Sequence, residues 1–514
     1  MSAKPATKVM TEPLGGSALS VAAQAGKLPR AIQPWRPRST AEWRAHVKRC
    51  RAALSKDWAQ RLGGALQATG AAADRLGRVT AGSGVVVTTG QQPGLLGGPL
   101  YTLAKALSAL ELADVIERKT GVPTAPIFWA ATDDSDFAEA SVAAVSGAGG
   151  LRELSQTERP PSGTRMAEAP LGDLSGQLDA LREACGSAPH AHFLEMAAKA
   201  YGARAATGAA YVQLLRELLE PLGIAVLDAS HPACGSAARP VLAAALSAAQ
   251  KISTAAAERA KAIRSAGYEP QVEDDRGLSL VFIVEQGIKR RLTVAEAATV
   301  PASAVLSPNV LLRPIVEREI VPTVAYVGGP GEIAYFTQAD AVASALGRER
   351  LVVVPRWSCT IVEPFVERAL KRIGVKAAEL KNLHAVEKRL ARKALPDSVS
   401  KAWKALNDQV AASVAKLARA VKVSDLVPPP VIEGLSNSLK YRLARGERRL
   451  LAAAKRRDDA VRRDLVAASA ALWPNGHRQE RTLNFIPMLA RGGDALLREL
   501  RKGARQHAAQ LVGK

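Results

Sequence analysis

Three polar segments carry the residue types that bind or transform a small charged molecule. The first is TTGQQPGLLGGP, residues 88–99. Glycines at 90, 94, 97 and 98 let backbone N–H groups approach an anion, and a helix starting just beyond adds a partial positive charge. Thr89, Gly90, Gln92 and Gly94 are candidate binding positions and Gln91 a candidate catalytic one, because a side-chain amide offers a polar ligand both donors and an acceptor. The spacing is neither that of a P-loop nor that of the six-residue dinucleotide fingerprint. A tight corner without a ligand is the competing reading. The second segment, DDSDF at 133–137, crowds Asp133, Asp134 and Asp136 around Ser135. Three carboxylates together are costly unless a cation, an amine or a sugar hydroxyl relieves them, and such crowding can turn one of them into a general base. Asp134 and Asp136 are the candidates for holding an amine or taking its proton; a helix start capped by Ser135 or Asp136 is the alternative. The third, YVGGPGEIAYFTQ at 326–338, is a second glycine turn before a helix, with Tyr326, Gly328, Gly329, Gly331 and Glu332 as binding candidates. Lys105 or Arg356 would neutralise developing charge. Cys359 is either a nucleophile or a buried spectator thiol. His190 and His192 hint at a metal but lack further ligands, so no metal is expected.

These segments need a frame. GVVVTTG (84–90) is a β-branched run that reads as a buried strand, and the apolar spacing after Pro99 is helical up to Gly121. APIFWAAT (125–132) is a second strand, so the acidic cluster sits at a strand end and the whole makes a βαβ unit. The rhythm recurs in helix 211–223, strand 224–230 with Asp228 at its end, strand 323–329, helix 330–347 and strand 351–356. The reading is an α/β fold, a Rossmann-like and mostly parallel sheet wrapped by helices. In such a sheet ligands bind beyond the carboxyl ends of the strands, where all three segments converge.

Insertions near 150–206 and 267–312 interrupt this core of residues 41–362, the second reading as a hairpin or small sheet. Residues 1–40 are rich in Pro, Ser, Gly and Ala and read as a flexible N-terminal arm. Residues 363–473 read as a helical coiled-coil domain, with DLVPPP (425–430) as a rigid connector and one helix from Val431 to about Leu472. Residues 474–514 return to the core.

The chain has 514 residues, 47% of them apolar and 23% charged, which excludes global disorder. No run approaches the ~20 apolar residues of a membrane span, and the first thirty residues lack the pattern of a secretory signal. Four dispersed cysteines exclude a disulfide scaffold. A soluble cytoplasmic protein is expected. The net charge of +22 reads as a general surface bias, because aromatics are only 4% and no basic run is interleaved with them. Nucleic acid is therefore not the expected partner, nor is a membrane.

The segments 88–110, 122–140, 307–338 and 352–360, together with QERTLNFIP (479–487), resemble the bacillithiol biosynthesis cysteine-adding enzyme family (BshC) over roughly residues 84–490. The run around YVGGPGEIAY is the most specific part of this likeness. The resemblance implies a ligase that joins cysteine to glucosaminyl malate through an amide bond, with ATP as the candidate source of activation. It also implies nucleotide binding on a core related to class I synthetases, connecting-peptide inserts, and a coiled coil that makes a homodimer. One departure stands out: the family motif Glu/Ser-Asp-His-Asp-Phe has Ser135 here in place of histidine, and the next acidic position is Ala138, with Glu139 retained. That leaves two alternatives, a divergent member acting on another amine or thiol, and a basic coiled-coil protein that binds nucleic acid or scaffolds partners.

Overall fold

The computed structural model describes residues 7–53, 55–147, 149–202, 206–273, 277–424 and 427–513. They form two compact units. One comprises Thr7–Val145, Arg152–Ile361 and Gln479–Lys514, the other Ser146–Leu151 and Val362–Arg478.

The first unit is built on a parallel sheet. The β-branched run forms strand Val85–Gln91, and its neighbour Thr124–Ala130 is buried at every position. Across the sheet the order is Val353–Pro355, Thr323–Gly328, Val85–Gln91, Thr124–Ala130, Ala225–Asp228, with every pair parallel. The chain thus winds outward from Val85–Gln91 to one edge, then returns to build the other side. That is the doubly wound order, and it leaves a crevice between the ends of Val85–Gln91 and Thr323–Gly328. Alternation along the first strand serves two layers. Val85 and Val87 pack with Ala109 and Leu112 of helix Leu100–Thr120, and Val86 packs with Ile127, Tyr326 and Val353 on the other face. Burial on both faces is why the strands read as unbroken apolar runs.

The insertion at 267–312 is a three-stranded antiparallel sheet in the order Ile288–Thr293, Leu278–Glu285, Val305–Pro308. That at 150–206 holds strand Gly150–Ser155 and helices Ser175–Cys185 and His192–Gly202; residues 203–205 lie outside the described residues. Among the described residues no helix is long and apolar enough to cross a membrane.

Two expectations are corrected. Residues 1–6 of the expected arm lie outside the described residues, but residues 7–40 are not a flexible arm. Ser17 caps helix Ala18–Ala25 by accepting the Ser20 N–H, Ser20 Oγ donates to Pro330 O at 2.7 Å, and Leu19, Leu28 and Ile32 are buried in the core. Isolated apolar residues anchor this segment, so it shows no period. The single helix from Val431 is two helices, Pro429–Arg457 and Asp459–Leu472. Asp458 leaves the helical conformation, and its carboxylate accepts the Val461 N–H, so a capping side chain restarts the helix. Asp425 and Leu426 of the connector lie outside the described residues. Within this unit helix Asp397–Ser424 packs along Pro429–Arg457, and Arg392 pairs with Glu447 at 2.6 Å.

Of the expected C-terminal segment, Gln479–Lys514 belongs to the sheet unit. Helix Ile486–Val512 packs on helix Leu100–Thr120, where Arg501 and Arg505 reach the fully buried Glu111 at 2.8 and 2.7 Å. Glu480 accepts two hydrogen bonds from Arg356, both 2.8 Å, and both side chains are almost fully buried. Burial raises the carboxyl, but the guanidinium, Ser358 and the Cys359 N–H outweigh it and hold Glu480 below its ordinary range. Glu480→Ala leaves Arg356 buried and unpaired, and urea unfolding is expected to show a loss of about 3–5 kcal/mol. Because the native carboxyl titrates low, this contribution is complete above the unfolded value of about 4.3 and disappears as pH falls through the native one. The variant is therefore expected to lose less stability than the wild type on acidification through that range.

Candidate active site

A cavity of about 580 Å³ opens where the sheet order reverses. Gly90, Gln91 and Gln92 enter it from the first strand; Asp133, Asp134, Ser135 and Glu139 from beyond Thr124–Ala130; and Gly329, Pro330, Gly331 and Glu332 from the start of helix Pro330–Ala345. Helix Leu100–Thr120 adds Tyr101 and Lys105, the inserted sheet adds Lys289 and Arg291, and Arg313 and Arg481 complete the wall.

Lys105 organises the floor. Its ammonium, with a side chain only 3% exposed, donates to Gly90 O at 2.7 Å and Gln91 Oε1 at 2.8 Å and pairs with Glu332 Oε2 at 2.6 Å. Burial lowers the lysine pKa, and the Glu332 carboxylate opposes that fall. Burial would raise Glu332, yet Lys105, Tyr326 and the Gly329 N–H hold it below its ordinary range. A Cβ at Gly329 would come within 3.3 Å of Glu332 Oε2 and 3.9 Å of Lys105 Cε, so a side chain there would press on the carboxylate end of the pair. An ammonium can only donate, so the Gln91 carbonyl oxygen faces Lys105 and its NH₂ points to Tyr101 Oη and Glu139 Oε1, both at 3.3 Å. Behind the floor, Arg313 donates to Tyr335 Oη at 2.6 Å and pairs with Glu317. Burial pushes the Glu317 carboxyl up to about 7, where it accepts the Thr88 hydroxyl proton.

The acidic wall divides into distinct roles. Asp133 accepts from Ser307 Oγ at 2.8 Å. Asp134 Oδ1 accepts the N–H groups of Ser135 and Asp136, and burial raises its pKa while Lys289 opposes the rise. Asp136 is not among the residues lining the cavity, and its carboxylate caps the short helix Phe137–Ala140 through the Glu139 N–H at 3.1 Å. The expected catalytic role of Asp136 gives way to the capping alternative. Gln92 lines the cavity, and its buried Nε2 has no hydrogen-bond partner among the described residues, which leaves a donor for an oxygen-bearing ligand.

Other expected positions serve the scaffold. Of the N–H groups expected to cradle an anion at the glycine turn, that of Gly97 donates to Gly94 O and that of Gly98 to Leu95 O. Tyr201 Oη donates to Gly94 O, Leu100 N–H donates to Leu483 O, and Asn484 Nδ2 donates to Leu96 O and Gly98 O, so this corner is sealed by the chain itself. Gly97, at φ 90°, packs against Phe485. Thr89 is buried and donates to Val327 O. Tyr326 and Gly328 stand behind the wall, Tyr326 bonded to Glu332 and Gly328 O accepting the Arg356 N–H. Arg356 reaches the cavity, but its charge is matched by Glu480, which removes it as the neutralising cation. Cys359 is buried, and burial pushes its thiol up, as befits a spectator. His190 packs over Gly493. Sequence reasoning missed Tyr101, Lys289, Arg291, Arg313 and Arg481. The two-residue spacing of Lys289 and Arg291 on a strand, which puts both on one face, was the available signal.

Comparison with known proteins identifies the family. A family model described as the N-terminal Rossmann-like domain of bacillithiol biosynthesis BshC matches residues 34–357, and one described as its C-terminal coiled-coil domain matches residues 359–511. A protein of Solibacter usitatus is 30% identical over 439 residues, covering 81% of this chain and 82% of the relative. One of Heliobacterium modesticaldum is 30% identical over 472 residues, covering 84% and 83%. Both are named "Putative cysteine ligase BshC". With both domains matched along most of its length, the chain belongs to the bacillithiol biosynthesis BshC family.

Proposed function

We propose that this protein is a cysteine ligase that joins the carboxylate of cysteine to the sugar amine of glucosaminyl malate through an amide bond. The observation that carries the reading is the two-signed cavity at the sheet reversal, in a chain whose relatives bear the cysteine ligase name. Asp133 and Asp134 suit an ammonium; Lys289 and Arg481 suit carboxylates. Both substrates carry both kinds of group. A carboxylate does not acylate an amine unaided, and a bound nucleoside triphosphate would supply the leaving group it lacks. The unpartnered Gln92 amide and the glycine turn opening helix Pro330–Ala345 fit a phosphate-bearing group. Lys105 keeps Gln91 oriented, and Asp134 holds the incoming amine.

A second reading, a different amine or thiol substrate, is favoured by Ser135 standing in the cavity wall where the family pattern has histidine. Competition between candidate amines, scored by product mass, separates the two. Self-association through the helical unit is also proposed, on the exposure of Leu406, Leu417, Val431, Leu435 and Tyr441 along its two longest helices. Sedimentation is then expected to give twice the 54.1 kDa of the chain.

Protein incubated with cysteine, glucosaminyl malate and ATP is expected to yield the amide, read by mass spectrometry; absence of product with every nucleotide would overturn the reading. Asp134→Asn, which keeps the shape but loses the charge, is expected to lower kcat/KM by about 10–100-fold, the worth of a charged hydrogen bond, with an unchanged circular dichroism spectrum. Lys105→Met leaves Glu332 buried without its counter-charge, and thermal unfolding is expected to show a loss of about 3–5 kcal/mol, part of it regained in Lys105→Met/Glu332→Gln.

A further inference from the structure

With Asp136 committed to a cap and Asp134 assigned to holding the amine, a third carboxylate in the cavity wall is available for proton transfer. Glu139 lines the cavity, and its Oε1 accepts from Tyr101 Oη at 3.1 Å and Gln91 Nε2 at 3.3 Å. Both bonds fall on one oxygen, and Oε2 has no partner among the described residues. The side chain is exposed, so a proton taken from a ligand can pass to bulk water. Its two partners are themselves held. Lys105 fixes the far end of Gln91, and the guanidinium carbons of Arg356 and Arg481 stand 5.8 and 5.9 Å from the centroid of the Tyr101 ring.

We propose that Glu139 is the catalytic base that takes the proton of the attacking amine, and that Tyr101 is its positioning residue. The assignment rests on the ligase reading and adds the group that completes it. The nitrogen lone pair forms the C–N bond and the C–O bond to the activating phosphate of a nucleoside triphosphate breaks with its electron pair. The N–H proton goes to Glu139 Oε2 and on to water. Although solvent reaches Glu139, the surrounding protein partly desolvates its carboxyl and raises it; the Tyr101 hydrogen bond and Lys105 oppose the rise, and Asp136 and Asp134 add to it. A raised carboxyl is better matched to accepting a proton near neutrality.

The test compares amide formation across pH in the full-length wild type, Glu139→Gln, Glu139→Asp and Tyr101→Phe. It is paired with trapping of activated cysteine by hydroxylamine, a nucleophile already unprotonated at neutral pH. Glu139→Gln is expected to lower kcat for the amide by about 10²–10⁴-fold and to abolish the acid limb of kcat/KM. Glu139→Asp regains part of the rate. In Tyr101→Phe the acid limb moves to higher pH, because a bond that stabilises the carboxylate is gone. Hydroxamate formation falls far less than amide formation in Glu139→Gln. Equal loss of both products, or an unchanged rate and acid limb, overturns the assignment of Glu139 alone. A wild type that makes neither amide nor hydroxamate overturns the ligase reading and the base with it.

Discussion

The buried pair of Lys105 and Glu332 is the interaction on which the cavity depends. Two charges removed from water are tolerated only when every remaining donor and acceptor is satisfied. Here the ammonium also bonds a backbone carbonyl and an amide oxygen, and the carboxylate also receives a phenol and a backbone N–H. The partners come from the first strand, the helix that follows it, and the turn after Thr323–Gly328. The pair therefore ties together the two strand ends between which the doubly wound sheet opens. It also sets which face Gln91 presents, and through Gln91 the placing of Glu139.

Around that pair the two signs of charge arrive from different parts of the chain. The acids come from one strand end, positioned by local backbone geometry. The bases come from the inserted sheet, from helix Arg313–Ile320 and from the returning C-terminal segment. A wall assembled in this way can change the cations it shows to a ligand without disturbing the sheet, because the inserted strands pair with one another.

The legibility of the sequence follows the range of the forces. Strands buried on both faces announce themselves in runs such as GVVVTTG, and from those runs the crevice and most of its acidic wall could be inferred. Residues whose role depends on contacts distant in sequence could not. Nothing near Arg356 says that Glu480 will neutralise it, and nothing near Gly94 says that Tyr201 and Asn484 will close the corner around it. The break at Asp458 was legible in principle, since an aspartate can cap, but the charged stripe continuing past it reads as unbroken helix. The segment at 7–40 failed for the opposite reason: a few well-buried side chains such as Leu19 and Ile32 hold it without producing any period.

The pairing of Arg356 with Glu480 spans 124 positions of the chain, and the helical unit lies between them. A ribosome making this protein releases the strands first and the matching carboxylate only after the whole helical unit has been made. During that interval the nascent sheet holds a guanidinium it cannot bury without a counter-ion, so one edge stays hydrated until Glu480 emerges. Elongation rate and chaperone access during those seconds then influence how much of the polypeptide reaches its finished form.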